Sequence, residues 1–295
     1  MEKKIPDISS QLYSADILIL LNENYNVIGP QWANNQLEWL NSIYEHFKDH
    51  DKFLIIIYLI KKTLDFYSRN FTKLSFEDFY SKDKVEIEKF SITEISEQLN
   101  IPKESTRRKV IELEASSVIQ RTKKKYIIDR SAYPFTKPIN SVKRISRFLS
   151  LFSKILKDNN KISKDLSSEK LENIIKNNFS YVWKIYYEFQ IPMVQGYKKF
   201  FGDTESFHIF GSCAVNQHLH SQKKIKSKLE RKMFFKTMHS SDESLGLNAK
   251  SMSDITGIPR ATVVRKLKKL VKKGYLSIDN KKHYKLTERS KKELM

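Results

Sequence analysis

The stretch "GIPRATVVRKLKKLVKKGYL", residues 257–276, places a glycine-proline corner in front of a helix with one apolar and one basic side. Gly257 suits a left-handed turn, and Pro259 suits the first helical position, where its missing N–H costs nothing. Four apolar side chains recur at helical spacing and predict the buried face: Val263, Leu267, Leu270 and Val271. The opposite face carries Ala261, Arg265, Lys268, Lys269 and Lys272, with Thr262 at its edge. The pattern predicts a helix that packs on one side and presents cations on the other.

A short helix precedes this corner, and a basic hairpin follows it. Ser251 or Ser253 can cap the short helix, which ends at Gly257. Gly274 ends the second helix. "YLSIDNKKHYKLT" then predicts strands at 275–278 and 283–287 around a basic tip at 280–282.

The same pattern occurs a second time in the chain. "IPKESTRRKVIEL" at 101–113 aligns without gaps with "IPRATVVRKLKKL" at 258–270, an offset of 157 residues, and five of the thirteen positions are identical. Downstream, strands are expected at 118–122 and 125–129 around a second lysine cluster. The repeat spans about 35 residues per copy and predicts a duplicated small domain.

This order of helix, tight turn, helix and basic hairpin resembles the winged helix-turn-helix of bacterial transcription regulators, especially the IclR and MarR types. The residues at matching places are Pro259, Thr262, Val263, Arg265 and Leu267. In that family the second helix lies in the major groove and the hairpin, or wing, touches the DNA backbone. The resemblance implies the same roles for 259–273 and 279–283. It covers about 40 residues per copy, and no IclR-type effector domain accompanies it.

The residue types of the second copy suit these implied roles. Arg260 and Thr262 lie in the first helical turn, where side chains reach base edges, and arginine pairs bidentately with guanine. Lysines suit phosphates, which supply affinity rather than sequence choice. The expected DNA-binding residues of this copy are Arg260, Ala261, Thr262, Arg265, Lys268, Lys269, Lys272, Lys281 and Lys282. A solvated basic face is the alternative interpretation.

The first copy is less uniformly basic. Its expected core residues are Thr106, Val110 and Leu113. Glu104 and Glu112 lie on the outward face, where carboxylates repel phosphate, although Glu104 can also accept a hydrogen bond from cytosine. The expected DNA-binding residues are Lys103, Ser105, Arg107, Arg108, Lys123, Lys124 and Lys125. Weak DNA binding and contact with another protein both stay open for this copy.

Charge is concentrated at one end of the chain. The net charge is +20 and the sequence pI is about 9.7, which makes an anionic partner the first hypothesis. Residues 1–130 hold 20 basic and 20 acidic residues, whereas residues 223–295 hold 21 basic and 7 acidic residues, a net charge of +14. The excess coincides with the second copy of the repeat and favours double-stranded DNA as the partner.

The composition predicts a mainly helical fold with small β-wings. Glycine and proline are scarce, with seven of each, and most segments mix apolar and charged residues. Helices are expected around 33–48, 52–69, 141–157, 167–190 and 205–220. Residues 17–29 favour either a hairpin at Asn24 or a short helix, and 158–170 is the best internal linker.

Two winged helix-turn-helix domains with additional packing helices follow from these patterns. The first domain is expected at 1–135, with its helix-turn-helix at about 91–130. A helical connecting region should occupy 136–222. The second domain is expected at 223–295, with its helix-turn-helix at about 248–287.

No motif indicates an enzyme, a catalytic residue or a cofactor. The glycines are too dispersed for a GxGxxG or Walker-type loop, and HExxH is absent. "FHIFGSCAVNQHLH" at 207–220 gathers His208, Cys213, His218 and His220, but the spacing is not that of a closed zinc site. The "HLH" at 218–220 also fits the metal motif of rolling-circle nickases, which should lie on a strand. Packing and a helix end are the favoured explanation, so no metal is expected.

The sequence favours a cytoplasmic protein without a membrane partner. Cys213 is the only cysteine, which fits a reducing compartment, and "MEKKIPDISS" lacks the apolar region of a signal peptide. The longest apolar run, "FLIIIYLI" at 53–60, is too short to span a bilayer and predicts a buried helix. The aromatic residues Trp32, Trp39, Trp183, Tyr186 and Tyr187 fit the core or a homodimer face.

The function expected from these patterns is sequence-specific binding of double-stranded DNA, as a transcription regulator with two readers in one chain. Two readers can contact successive major grooves without a dimer. One alternative is a replication initiator of the plasmid or phage type, which also uses tandem winged helices. The other is a winged-helix scaffold for protein contacts.

Overall fold

The computed structural model describes residues 12–123, 125–133, 137–224, 228–240 and 246–294. The fold is mainly helical with two small antiparallel sheets, as the composition predicts. The helices are α1 (Ser14–Glu23), α2 (Tyr25–Phe47), α3 (His50–Arg69), α4 (Phe76–Phe79), α5 (Ile92–Leu99), α6 (Lys103–Ala115), α7 (Ile139–Asp158), α8 (Ser168–Asn177), α9 (Phe179–Phe201), α10 (Thr204–Lys224), α11 (Arg231–Ser240), α12 (Ala249–Thr256), α13 (Arg260–Lys272) and α14 (Glu288–Leu294). The strands are β1 (Lys84–Ile87), β2 (Ile119–Arg121), β3 (Tyr126–Asp129), β4 (Leu276–Ile278) and β5 (Tyr284–Leu286).

The helices expected from sequence are present, with differences in their bounds. The helix expected at 33–48 begins eight residues earlier, at Tyr25. The segment expected as one helix at 167–190 is divided into α8 and α9 at Asn178. Residues 17–29 are helical and break at Asn24, so the hairpin alternative is wrong for this segment. The linker candidate 158–170 contains the loop between α7 and α8.

The internal repeat is longer than the sequence alignment indicates. α2 and α9 each have 23 residues and each end at a left-handed residue, Lys48 (φ 52°) and Gly202 (φ 91°). An aspartate then precedes the next long helix. Asp49 accepts hydrogen bonds from the backbone N–H groups of Asp51 and Lys52 in α3, and Asp203 accepts one from the backbone N–H of Ser206 in α10. The pair α2–α3 is therefore equivalent to α9–α10 at an offset of 154 residues.

The two repeats exchange partners around an approximate twofold axis. α2 packs along α10, and α9 packs along α3. Gln36 and Gln190, which are equivalent at the offset of 154, bond reciprocally: Gln190 Nε2 donates to Gln36 Oε1 at 2.6 Å, and Gln36 Nε2 donates to Gln190 Oε1 at 3.4 Å. Together with the exchanged helix pairing, this reciprocal contact is what a local dyad between the two amides produces.

A buried histidine pair also joins the repeats. His50 Nε2 lies 3.2 Å from His208 Nδ1, and His208 Nε2 lies 2.7 Å from the side-chain oxygen of Asn41. Burial lowers the pKa of His50 to about 4 and that of His208 well below its ordinary value, so both rings are neutral at physiological pH. These bonds tie α2, α3 and α10 into one core.

Each repeat continues into two short helices and a hairpin. In the first, β3 lies between β1 and β2, with Ile128 opposite Val85 on one side and Ile119 on the other. In the second, β5 pairs antiparallel with β4, and an isolated bridge from Leu247 to Tyr284 takes the place of the third strand. The order of strand, helix, helix and hairpin is therefore the same in both.

The main core runs through all three segments expected as domains. One cluster of buried residues includes Leu54, Phe201 and Leu267, which come from 1–135, 136–222 and 223–295 respectively. The helices of 136–222 thus form half of the twofold core as well as connecting its parts. The boundaries at 135 and 222 stay a prediction.

The apolar run at 53–60 lies inside α3, where Ile55 and Leu59 have no exposed surface, so the expected buried helix is confirmed. Among the helices of the described residues, none combines the length and the apolar content that crossing a bilayer demands. Trp39, Trp183 and Tyr187 are buried in the same core.

Candidate nucleic-acid interface

The corner before α13 is built from local hydrogen bonds. Gly257 ends α12 in the left-handed conformation, with φ of +69°, as the sequence predicts. Ser253 donates its hydroxyl to the carbonyl of Ile258 at 2.7 Å, which closes the turn. The cap of α12 is Asn248, whose side chain accepts from Ser251 N, so the expectation of a serine cap is wrong. Pro259 is the N-cap residue of α13 and not its first helical residue, so the predicted position is wrong by one residue. Its missing N–H still leaves no helical bond unmade.

α13 packs on the core through the apolar face that its periodicity predicts. Val263, Leu267 and Leu270 have no exposed surface, and Val271 is half-buried. The equivalent residues of α6, which are Thr106, Val110 and Leu113, are buried as well. Burial of these side chains fixes which face of each helix is directed to solvent.

One lysine of α13 is an anchor rather than part of the outward face. Lys266 is buried, and its Nζ lies 2.8 Å from Asp203 and 3.1 Å from Glu205 at the start of α10. Burial alone would raise the pKa of Asp203, but hydrogen bonds from Lys266 and Ser206 lower it to about 2. The carboxylate therefore stays ionised and holds α13 against α10.

The first copy has the same anchor. Lys109 of α6 is buried and pairs with Asp49 at the start of α3. Lys109 and Lys266 are equivalent at the offset of 157 and are among the five identical positions of the repeat. The identity was the only sequence signal for this role, because the two aspartates lie far away in sequence.

The outward face of α13 carries cations that the described part of the chain does not neutralise. Arg260, Ala261, Arg265, Lys268 and Lys272 are exposed, and Thr262 is half-buried at the edge. Within the described ranges, Arg260, Arg265, Lys268 and Lys272 form no ion pair with the rest of the chain. Lys269 is also exposed, but its Nζ lies 3.2 Å from Asp203.

The hairpin after α13 carries two further exposed cations. Lys281 and Lys282 are exposed at the tip between β4 and β5. Asp279 shapes the tip, because its carboxylate accepts from the backbone N–H groups of Lys281 and His283, both at 2.9 Å. Neither lysine forms an ion pair with another residue that the structure describes.

The outward face of α6 is neutralised by its own carboxylates. Glu104 pairs with Arg107 at 2.9 Å, and Glu112 pairs with Arg108 at 3.8 Å and with Lys52 of α3 at 2.6 Å. Lys103 is exposed, and Ser105 is half-buried. The structure thus directs Lys103, Arg107 and Arg108 of α6 to solvent but leaves the outward side of this helix much less positive than that of α13.

The hairpin of the first copy follows the same trend. Lys125 pairs with Glu86 of β1 at 2.7 Å. Lys123 is exposed. Lys124, the third residue expected to contact DNA here, lies outside the described residues.

The histidine-rich segment 207–220 lies inside α10 rather than at its end. His208, Cys213 and His218 are buried, and burial raises the pKa of the Cys213 thiol to about 12. In the described part of the chain, no three His, Cys, Asp or Glu side chains are grouped closely enough to hold a metal ion. The "HLH" motif lies on a helix, whereas the nickase interpretation requires it to lie on a strand.

Comparison of this chain with protein-family models, with curated proteins and with solved structures found no match.

Proposed function

We propose that this chain binds double-stranded DNA in a sequence-specific manner, with α13 as its principal reader and α6 as its second. Each copy of helix, turn, helix and hairpin would act as a winged helix-turn-helix, with its second helix in the major groove. The role that we propose for this activity is regulation of transcription.

The observation that carries the proposal is the contrast between the two sides of α13. On its inner side a lysine is used for anchoring, and on its outer side Arg260, Arg265, Lys268 and Lys272 stay unneutralised within the described chain. Four like charges on one helix repel each other unless an anion covers them. Their placement on a helix that follows a tight turn and precedes a hairpin with a basic tip, Lys281 and Lys282, fits groove and backbone contacts.

The twofold core supports the use of both helices by one chain. α13 packs on α10 and α6 packs on α3, and α3 and α10 are related by the local dyad. The two outward helices are therefore held in a defined relation by a shared core. Such a chain can present two readers to successive major grooves without a partner.

A replication initiator is the second candidate, and the internal dyad favours it. A regulator with one reader per chain obtains twofold symmetry by dimerising, whereas here the symmetry lies within the chain. Initiators of the plasmid and phage type resemble this arrangement, because they carry two winged helices in one polypeptide. A regulator should bind near promoters, and an initiator should bind repeated sites at an origin.

In vitro selection from a random duplex pool at near-physiological salt tests the proposal. We expect a two-part motif, with Arg265→Ala blurring one part and Arg108→Ala blurring the other. The position of motif matches in the source genome then separates regulator from initiator. Binding that enriches no sequence and disappears as salt rises would reject sequence-specific recognition and favour the protein-scaffold alternative.

A further inference from the structure

A large apolar cavity lies beside the local dyad. Its volume is about 520 Å³, and α1, α2, α7, α9, α10 and α11 contribute to its wall. Aromatic side chains dominate the lining, among them Trp32, Phe148, Phe189, Phe207 and Phe210. Cavities of this volume and apolar character are typical of small-molecule sites.

Four small residues on α2 and α10 form part of this wall, namely Gly29, Ala33, Gly211 and Ala214. The dyad-related cavity on the other side of the core has large residues at the positions equivalent to these at the offset of 154, namely Trp183, Tyr187, Ile57 and Ile60. A Cβ on Gly211 would meet no atom of a neighbouring described residue within 4 Å. The cavity therefore extends to the backbone of α10 at this glycine.

Three polar side chains of the described wall lie beside partners in the chain. The Gln36 amide bonds reciprocally with that of Gln190. The Arg231 guanidinium lies 5.6 Å from the centre of the Tyr25 ring, and the His218 ring packs edge-on against two phenylalanine rings. These contacts assign the three groups to the fold itself, so none of them selects a charged ligand.

The surroundings of the cavity disfavour charge. Burial raises the pKa of Tyr25 to about 12 and also raises the pKa of Tyr197, and in both cases Arg231 offsets only part of the rise. Both phenols are therefore neutral at physiological pH. The loss of hydration that penalises a phenolate here would equally penalise a carboxylate or an ammonium group on a ligand.

We propose that this cavity binds a neutral apolar molecule, an aromatic or aliphatic compound without a charged group. The driving force would be removal of apolar surface from water, which needs no directional contact. A polar ligand would leave its hydrogen-bonding groups unmet against the apolar wall. The dyad-related cavity does not share this character, because its lining includes the charged residues Glu38, Glu45, Arg130, Lys137 and Arg144.

The cavity lies next to contacts that hold α13 in place. α10 contributes Phe207 to the wall, and Glu205 near the start of the same helix pairs with Lys266 of α13 at 3.1 Å. Phe201 of α9 lines the cavity, and its ring lies 5.7 Å from that of Tyr275, which follows α13. A bound ligand would therefore change the packing of α13, and we expect it to change the affinity for DNA. This consequence rests on the proposed function, whereas ligand binding itself does not.

The test uses the full chain and two fluorescent probes that share one aromatic skeleton. N-phenyl-naphthylamine is neutral, and anilinonaphthalene sulfonate carries one negative charge. Gly211→Ile places into the cavity the side chain that the other repeat has at this position. Gly196→Ile is the matched control, because it is also a helical glycine with open space around its Cβ but lies on the exposed surface. Ala214→Ile reduces the same cavity and replaces Gly211→Ile if that variant does not fold.

We expect saturable binding of the neutral probe, which Gly211→Ile abolishes and Gly196→Ile preserves. The sulfonate should bind this site roughly 10-fold or more weakly, because its charge loses hydration without gaining a partner. Sulfonate held by basic groups on the surface is distinguished by its indifference to Gly211→Ile. Absence of saturable binding of the neutral probe would overturn the proposal. So would neutral-probe binding that the cavity-filling variants do not reduce, or equally tight sulfonate binding that Gly211→Ile abolishes.

A labelled duplex separates this inference from the proposed function. Each variant is titrated with the duplex by fluorescence anisotropy, with and without the neutral probe. Absence of probe binding in a chain that binds DNA overturns the cavity proposal alone. Probe binding by a chain without DNA affinity supports the cavity proposal and overturns the proposed function alone. If the chain binds both and the probe leaves DNA affinity unchanged, only the coupling to α13 is overturned.

Discussion

The ion pair that anchors α13 provides a direct test of how the candidate interface is held. Asp203→Asn removes the charge that Lys266 binds but keeps a side chain that can cap α10, because asparagine is as good a cap as aspartate. Lys266 keeps Glu205 as a partner at 3.1 Å. The substitution therefore isolates the charge of one carboxylate.

The size of the effect follows from the pKa of Asp203, which is about 2 against an ordinary value of 3.8. One pKa unit corresponds to about 1.4 kcal/mol, which sets an upper limit of roughly 2.5 kcal/mol. The Asp203 side chain is 29% exposed, so solvent screening reduces the expected loss of unfolding free energy to about 1–2 kcal/mol at pH 7. Because the folded-state pKa is lowered, this stabilisation is complete above about pH 5 and is lost as the pH falls towards 2.

Urea denaturation at pH 7, 5, 4 and 3 measures this difference. The gap in unfolding free energy between natural chain and variant should shrink by about half at pH 3. Asp254→Asn, at an exposed position of α12, is the control and should stay within about 0.5 kcal/mol of the natural chain at each pH. The anchoring role is refuted if Asp203→Asn behaves like Asp254→Asn, or if its effect does not change between pH 7 and pH 3.

Three further outcomes are expected. Replacing Lys268 and Lys272 with glutamine should reduce the slope of log K against log salt by about 1.8 without changing the preferred sequence, measured by anisotropy; an unchanged slope would exclude phosphate contacts by these residues. Gly257→Ala should lower the unfolding free energy by about 1–2 kcal/mol in thermal denaturation, because φ is +69° there, and Gly257→Asn should lower it less, since Asn100 adopts the equivalent left-handed turn in the first copy; equal losses would contradict this explanation. The His50 ring is neutral in the fold with its pKa lowered to about 4, so stability should fall as the pH drops from about 6.5 to 4, and calorimetry should find a smaller fall in His50→Gln.

Helices α12 and α13, the turn between them and the hairpin that follows were predictable because their signals are local. Apolar residues at helical spacing indicated the buried face of α13, and Gly257 marked the turn before it. The hairpin strands were expected within a residue or two of β4 and β5. Each of these features depends on residues within one or two helical turns of each other.

The features that were missed depend on contacts between distant segments. Lys266 and Lys268 have the same side chain and are two positions apart. Lys266 is buried against Asp203, whereas Lys268 is exposed to solvent. The packing of α2 on α10 and of α9 on α3 could not be predicted from local sequence. The two helices α2 and α9 have the same length and the same position in their repeats, but their sequences are hardly similar. The neutralisation of the α6 face could be predicted only in part. The position of Glu112 on the outward face follows from helical periodicity, but its pairing with Lys52 does not, because Lys52 lies on another helix.

The measurement that tests the central claim most directly compares two arginines at equivalent positions of the repeat. Affinity for the duplex recovered by selection is measured at near-physiological salt for Arg265→Ala, for Arg108→Ala and for the control Arg69→Ala on α3. Arg265 is unneutralised within the described chain, whereas Arg108 lies 3.8 Å from Glu112. Loss of a base-reading arginine is worth about 1–3 kcal/mol, so Arg265→Ala should weaken binding roughly 5- to 150-fold, Arg108→Ala less, and Arg69→Ala not at all. An equal or larger loss in Arg108→Ala, or no loss in either, would contradict α13 as the principal reader.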